Sequence, residues 1–257
     1  MEFIDSHAHL FATEFDEDRS LVVERAIHEG ICKMLLPNID KDTIEPMLEL
    51  CKAYPDYCFP MIGLHPTSVK EDYKDHLAII EKYLESHRFV AIGEVGIDLY
   101  WDKTHLPQQQ EAFVYQIELA RKYSLPLVIH SRESFVEIVE ILHKLRNGSS
   151  YSGVFHSFSG NAAQANEAIE LGFKIGINGV VTFKNSTLGE VISNIPLQHL
   201  LLETDAPYLT PVPKRGKRNE SAYIPYIAAK IAEIKGIAIE EVGKVTTLAA
   251  KTLFKLT

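Results

Sequence analysis

About eight times along this chain, a short apolar run of strand length gives way to a segment whose apolar residues recur at helical period. That alternation is the pattern of parallel βαβ units. The strand candidates are residues 2–7, 33–37, 59–64, 90–94, 127–130, 153–156, 174–177 and 200–204. Several are unbroken, as in Met34-Leu35-Leu36, Leu127-Val128-Ile129 and Leu200-Leu201-Leu202, which suits strands covered on both faces. Between them, stripes such as Ile44, Met47, Leu48 and Cys51, or Ile224, Ile227, Ala228 and Ile231, give each helix an apolar face for the sheet. Eight such units close a barrel, so the expected fold is α/β, a (β/α)8 barrel. With 257 residues, 46% of them hydrophobic, the chain can bury one full core, and residues 1–257 are read as one domain. A helix over residues 239–256 lies beyond the eighth unit and is expected to cap one side or end of the barrel. The longest irregular segment, residues 210–222, is rich in Pro and basic residues, as functional or mobile loops often are.

Barrels of this kind draw their ligands and catalytic groups from the C-terminal ends of different strands. Asp5, His7 and His9 alternate along the first strand candidate, and alternate strand residues share a face. Glu94 ends the fourth strand, His130 the fifth and His156 the sixth, while Asp205 follows the eighth. Any one of these alone reads as a core polar group satisfied by hydrogen bonds. Buried singly, each would be costly, and the same event at one rim in five strands calls for a metal. Four imidazoles and two carboxylates exceed the needs of one tetrahedral ion, so two adjacent divalent ions bridged by a carboxylate are expected. Histidine with carboxylate suits Zn2+, while the carboxylates also accept Mg2+ or Mn2+. His65, just past the third strand, is read as a substrate contact on the same rim, with His105 in reach of it. His28, His76, His87, His143 and His199 fall on helices or connections and are expected to be solvated.

The formal net charge of -9 argues against a protein that coats nucleic acid or a membrane through its overall field, while permitting a local basic patch. Cys32, Cys51 and Cys58 form no paired motif and are read as buried, reduced thiols. Without a signal-like start or a membrane-length apolar run, a soluble cytoplasmic protein is expected, with no membrane association and no stable protein partner.

The runs Asp5-Ser6-His7-Ala8-His9, Gly63-Leu64-His65-Pro66, Gly93-Glu94-Val95-Gly96-Ile97-Asp98, His156-Ser157-Phe158-Ser159-Gly160, Glu203-Thr204-Asp205-Ala206-Pro207-Tyr208-Leu209 and Arg215-Gly216-Lys217-Arg218-Asn219-Glu220 span nearly the whole chain. Together they resemble the TatD family of metal-dependent deoxyribonucleases, within the amidohydrolase-like metal-dependent hydrolases. The resemblance implies a TIM barrel in which His7, His9, Glu94 and Asp205 hold one ion, and Glu94, His130 and His156 the other, with Glu94 bridging. Three positions depart from the family's habit: Ser157 where Cys is frequent, Ser221 where Pro is usual and Ala249 where Asn is common. Ala249 puts the docking of the last helix in doubt.

For a phosphodiester, two ions would activate a water and neutralise charge on the phosphoryl oxygens. Asp205 is then the natural general base and Glu94 the shared catalytic carboxylate. Glu203, two residues before Asp205, could orient a ligand histidine. Arg132 and the cluster Arg215, Lys217 and Arg218 follow the fifth and eighth strands and are read as substrate-phosphate contacts. Tyr100 and Trp101 are read as core or lid packing rather than as a platform for stacked bases. The resulting expectation is a metal-dependent deoxyribonuclease trimming 3' ends or single strands of DNA. A hydrolase of a small cyclic amide, lactone or phosphoester on the same site is the alternative, since fold and metal do not fix substrate. A metal-stabilised binding scaffold would require ions saturated by protein ligands, whereas catalytic sites keep an open position.

Overall fold

In the computed structural model, which describes residues 1–101, 103–146, 148 and 150–257, strands and helices alternate throughout. The order is β1 (Phe3–Asp5), α1 (Arg19–His28), β2 (Ile31–Pro37), α2 (Ile44–Ala53), β3 (Cys58–Met61), α3 (Tyr73–Ser86), β4 (Ile92–Asp98), α4 (Leu106–Tyr123) and β5 (Leu127–Arg132). It continues with α5 (Phe135–Leu145), β6 (Gly153–Phe155), α6 (Ala162–Glu170), β7 (Phe173–Ile177), α7 (Leu188–Ser193), β8 (Leu200–Leu202), α8 (Ile224–Lys235) and α9 (Ile239–Phe254). Local chemistry sets several of these boundaries. Asn161 and Gln164 form a reciprocal capping box at the start of α6. Pro225 sits in the first turn of α8, and Gly236 ends it at φ 64°, a left-handed angle that glycine adopts freely.

The strands are parallel and form two hydrogen-bonded runs, β1-β2-β3 and β4 through β8. Main-chain bonds join the runs at both seams. On one side Gly93 N–H donates to Ile62 O at 2.8 Å; on the other Ser6 N–H donates to Leu202 O at 2.9 Å and His9 N–H to Ala206 O at 2.8 Å. The sheet thus returns on itself as a TIM barrel.

Strand ends differ from the expected ranges in an informative way. β1 stops at Asp5, leaving Ala8 a lone bridge to Ala206, so His7 and His9 stand beyond the ladder. β4 and β5 run on instead, because their pairing continues through Gly96 with His130 and Asp98 with Arg132. Glu94 and His130 therefore lie within strands rather than at their ends. The first strand also corrects the expected alternation: Ile4, not Asp5, joins the barrel-interior cluster. Asp5 accepts from the hydroxyls of Thr204 and Ser221, each at 2.6 Å. It thereby ties the end of β1 to the segment after β8.

That interior cluster contains Ile4, Leu35, Met61, Val128, Val154 and Leu201 from six strands, and Ala249, Ala250, Leu253 and Phe254 of α9 close it. The last helix is thus the plug of the barrel end opposite the polar rim. Small residues permit the approach: a Cβ on Gly243 would sit 3.0 Å from the Phe3 ring. Ala249 is itself buried in this seal, which settles the docking that the sequence left open. Truncating the buried plug residue Phe254 to Ala should lower unfolding stability by about 3–5 kcal/mol, read as a shifted urea midpoint.

Two smaller expectations are corrected. His76 is buried rather than solvated, with Nε2 at 3.3 Å from Asp72 Oδ2. Cys32 is half-buried, whereas Cys51 and Cys58 are buried thiols whose ionisation burial pushes up, to about 12 for Cys58. No helix among the described residues is long and apolar enough to cross a membrane.

Candidate metal centre

The rim of the barrel gathers His7, His9, Glu94, His130, His156 and Asp205 around one cleft of about 740 Å³. Glu94 lies at its middle and presents its two oxygens to different partners. Oε2 is 3.1 Å from His7 Nε2 and 3.8 Å from His9 Nε2. Oε1 is 2.7 Å from His130 Nδ1, 3.4 Å from His65 Nε2 and 3.8 Å from His156 Nε2. Asp205 Oδ1 faces the first side, at 3.6 Å from His9 Nε2, 3.5 Å from His156 Nε2 and 3.9 Å from His7 Nε2. The backbone at Asp205 turns through the left-handed region, φ 58°. Its N–H donates to His7 O at 2.9 Å, so the turn that aims Asp205 is bonded to the segment carrying the histidine pair.

Buried partners fix the ring orientations. His9 Nδ1 contacts Pro37 O at 3.2 Å; a carbonyl only accepts, so Nδ1 carries the proton and Nε2 offers a lone pair to the cleft. Glu203 Oε1 stands 3.1 Å from His156 Nδ1 and accepts the Ser157 N–H at 2.6 Å. Gly176 is required beside it, since a Cβ there would lie 2.4 Å from Glu203 Oε2. His130 Nε2 is held by Asp98 Oδ2 at 2.8 Å, the carboxylate–imidazole arrangement that orients metal-binding histidines. Asp98 escaped the sequence reading, although it lies four residues after Glu94 on one strand and hence on the same face.

His65 differs from the rest. Thr67 N–H donates to its Nδ1 at 3.2 Å, and burial holds its pKa below the ordinary value. The neutral ring therefore carries its proton on Nε2, facing Glu94 and the cleft. It is a donor, not a lone pair for an ion.

Charge is concentrated among largely buried side chains. Burial opposes a proton on His156, but the Glu203, Glu94 and Asp205 carboxylates outweigh it and raise this histidine to about 10. His130 is likewise raised to about 9, burial being overcome by Asp98 and Glu94. Burial, reinforced by His156, pushes His7 down to about 4. Glu94 stays well below the usual carboxylate range, because the surrounding imidazoles outweigh its own burial. Within this set His7 Nε2 and His9 Nε2 lie 3.3 Å apart, and the His7 and His156 rings stack with centroids 3.4 Å apart. Lone pairs and carboxylate oxygens aimed at shared points are the donor set of divalent cations. The side chains present fit such ions, with His7, His9 and Asp205 in one reachable group, His7, Glu94 and His156 in a second, and His65, Glu94 and His130 in a third.

The model of the family described as TatD related DNase matches residues 4–255. The chain belongs to the TatD-related family. Among its relatives, the uncharacterized metal-dependent hydrolase YabD of Bacillus subtilis strain 168 is 40% identical over 253 residues, 98% of each chain. A protein of Erwinia amylovora named 3'-5' ssDNA/RNA exonuclease TatD is 34% identical, covering 98% of this chain and 99% of its own. The solved structure of YjjV, a TatD homologue from Escherichia coli K12, superposes with a TM-score of 0.92 at 30% identity, covering 99% of this chain and 98% of that one. This TatD-related chain is thus a metal-dependent hydrolase by family.

The remaining candidate residues of the TatD-related barrel part company. Arg132 lines the cleft, as does His65. Arg215 instead stacks over the Phe183 ring, 4.0 Å from its centroid, and Lys217 is exposed. The Arg218 guanidinium is engaged by Asp18 Oδ2 at 2.8 Å and Glu14 O at 2.5 Å, strapping the loop to the start of α1. Among the described residues, neither it nor His105 lines the cleft. Tyr100 and Trp101 stand 51% and 68% exposed rather than packed in the core. Of the departures from the family habit, Ser221 supplies a hydroxyl to Asp5, and Ser157 Oγ accepts from Asn178 Nδ2 at 2.7 Å.

Proposed function

We propose that this chain hydrolyses phosphodiester bonds and removes nucleotides from the 3' ends of single-stranded or frayed DNA, using two divalent ions. The observation that carries the reading is Glu94 dividing its two oxygens between His7 and His9 on one side and His130 and His156 on the other. A carboxylate so placed suits a bridge between adjacent ions. His7, His9, Asp205 and Glu94 would hold one ion, and Glu94, His130 and His156 the other. When bound, such ions acidify water, orient it and neutralise phosphoryl charge.

The chain's own groups supply the rest. Asp205 Oδ1 is the acceptor for the proton of the attacking water, its carboxylate kept ionised by His156 and its other imidazole neighbours against the effect of burial. As the water oxygen bonds to phosphorus, the P–O bond to the leaving sugar oxygen breaks on the opposite side, and that oxygen takes a proton from solvent at the open cleft. His65 Nε2–H donates to a phosphoryl oxygen, and Arg132 meets the adjoining phosphate at the cleft mouth. A concave rim admits a strand end more readily than an intact duplex. The names of the Erwinia relatives, 3'-5' ssDNA/RNA exonuclease, support the same substrate and polarity.

The second reading, hydrolysis of a small cyclic amide, lactone or phosphoester, draws support from the basic loop. Arg215 and Arg218 are engaged with other groups, which leaves a short phosphate track. End-labelled single-stranded DNA decides between the readings: shortening by metal-loaded protein supports the first, and turnover confined to small esters or amides supports the second.

A further inference from the structure

We propose that Trp101, with Tyr100 and Arg132, forms a stacking subsite for an unpaired base next to the scissile phosphate. The proposal rests on the phosphodiester reading and deepens it by naming the part of the strand that the rim grips. Two large aromatic side chains at neighbouring positions, 51% and 68% exposed, are unusual on a surface that must stay soluble. Their surroundings give them an occupant. The Arg132 guanidinium lies over both rings, its carbon 4.0 Å from the Tyr100 centroid and 5.4 Å from that of Trp101. The two rings meet edge to face with centroids 4.9 Å apart. Trp101 and Arg132 line the same cleft as Glu94, His130 and Asp205. An exposed indole flanked by a planar cation is the equipment that binds a base by its π-face and the backbone by its charge.

The subsite is mounted rigidly on the metal centre. Asp98 holds His130 with Oδ2 at 2.8 Å and accepts the Tyr100 and Trp101 N–H groups on Oδ1 at 2.9 and 3.2 Å. Leu99 N–H donates to Arg132 O at 3.0 Å, joining the loop after β4 to the end of β5. One carboxylate therefore sets both the histidine and the platform. Every base has a π-face, so a grip of this kind takes any sequence but requires the base to be unpaired. Single-strand preference with little sequence preference follows from the platform itself.

Trp101 is the single tryptophan of the chain, so intrinsic fluorescence reports this position alone. In metal-loaded Asp205→Asn protein, an oligothymidylate should quench the emission, while a blunt duplex of equal length should not. In turnover by otherwise unaltered protein, Trp101→Ala should raise KM for single strands about tenfold, the scale of losing one base stack. Trp101→Phe should recover most of that loss. The penalty should shrink when the terminal nucleotides are abasic, which a merely structural role would not produce. Equal quenching by duplex and single strand, or a KM for Trp101→Ala equal to that of the parent, overturns the subsite. Quenching by single strands without any DNA cleavage would support the subsite and refute the phosphodiester reading, so the two failures are distinguishable.

Discussion

Replacing Glu94 by Gln should lower DNA hydrolysis roughly a thousandfold or more and reduce the bound metal below that of the parent protein. The reason is that this one carboxylate faces both sides of the centre: Oε2 meets His7 and His9, and Oε1 meets His130 and His156. Metal-ion stabilisation of a reacting phosphoryl group is worth several kcal/mol, and about 1.4 kcal/mol is a factor of ten in rate. Gln keeps the volume and one oxygen but removes the charge. It also leaves five imidazoles, those of His7, His9, His65, His130 and His156, converging on a neutral group, which weakens retention of any cation between them. Elemental analysis alongside initial rates checks both halves of the expectation. Full activity with a full metal complement in Glu94→Gln would remove the bridging role.

Asp205→Asn should lower kcat by roughly a hundred- to ten-thousandfold, the range of a lost general base, while retaining much more metal than Glu94→Gln. Asn keeps an oxygen near the position now 3.6 Å from His9 Nε2, so coordination can persist where proton acceptance cannot. Asp205→Ala removes both and should lose metal as well. The comparison separates a base from a mere ligand. If Asp205→Asn and Asp205→Ala lose metal equally, and the remaining rate simply follows occupancy, Asp205 acts as a ligand only.

Much of the barrel and its rim could be read from the chain because the relevant contrasts are local. Runs such as Leu127-Val128-Ile129 lead into His130, and Gly153-Val154-Phe155 ends in His156; an apolar run followed by an imidazole marks both a strand and the side of the barrel it opens on, although the strand carrying His130 runs on to Arg132. Features set by tertiary contact were harder. Asp98 looks like an ordinary acidic residue entering a loop, and its grip on His130 exists only once β4 and β5 pair. Arg218 reads as part of a basic run, yet Asp18, two hundred positions away in the chain, holds it. Asp5 shares its spacing with His7 and His9, but the register shift between Phe3 and Ile4 and the nearby Thr204 and Ser221 hydroxyls give it a structural bond instead. For Trp101 the sequence places an aromatic after the fourth strand, which suits packing or a stacking platform alike, and its exposure at the cleft is set only by the tertiary fold.

The most direct measurement is cleavage of single-stranded DNA, labelled at the 5' or the 3' end, by protein whose metal content has been verified with Mg2+, Mn2+ or Zn2+. The 5'-labelled strand should give a ladder shortening from its 3' end, the 3'-labelled strand should release the label in its earliest products, and EDTA should stop both. Intact DNA across the whole metal series, with ions demonstrably bound, would contradict the assignment.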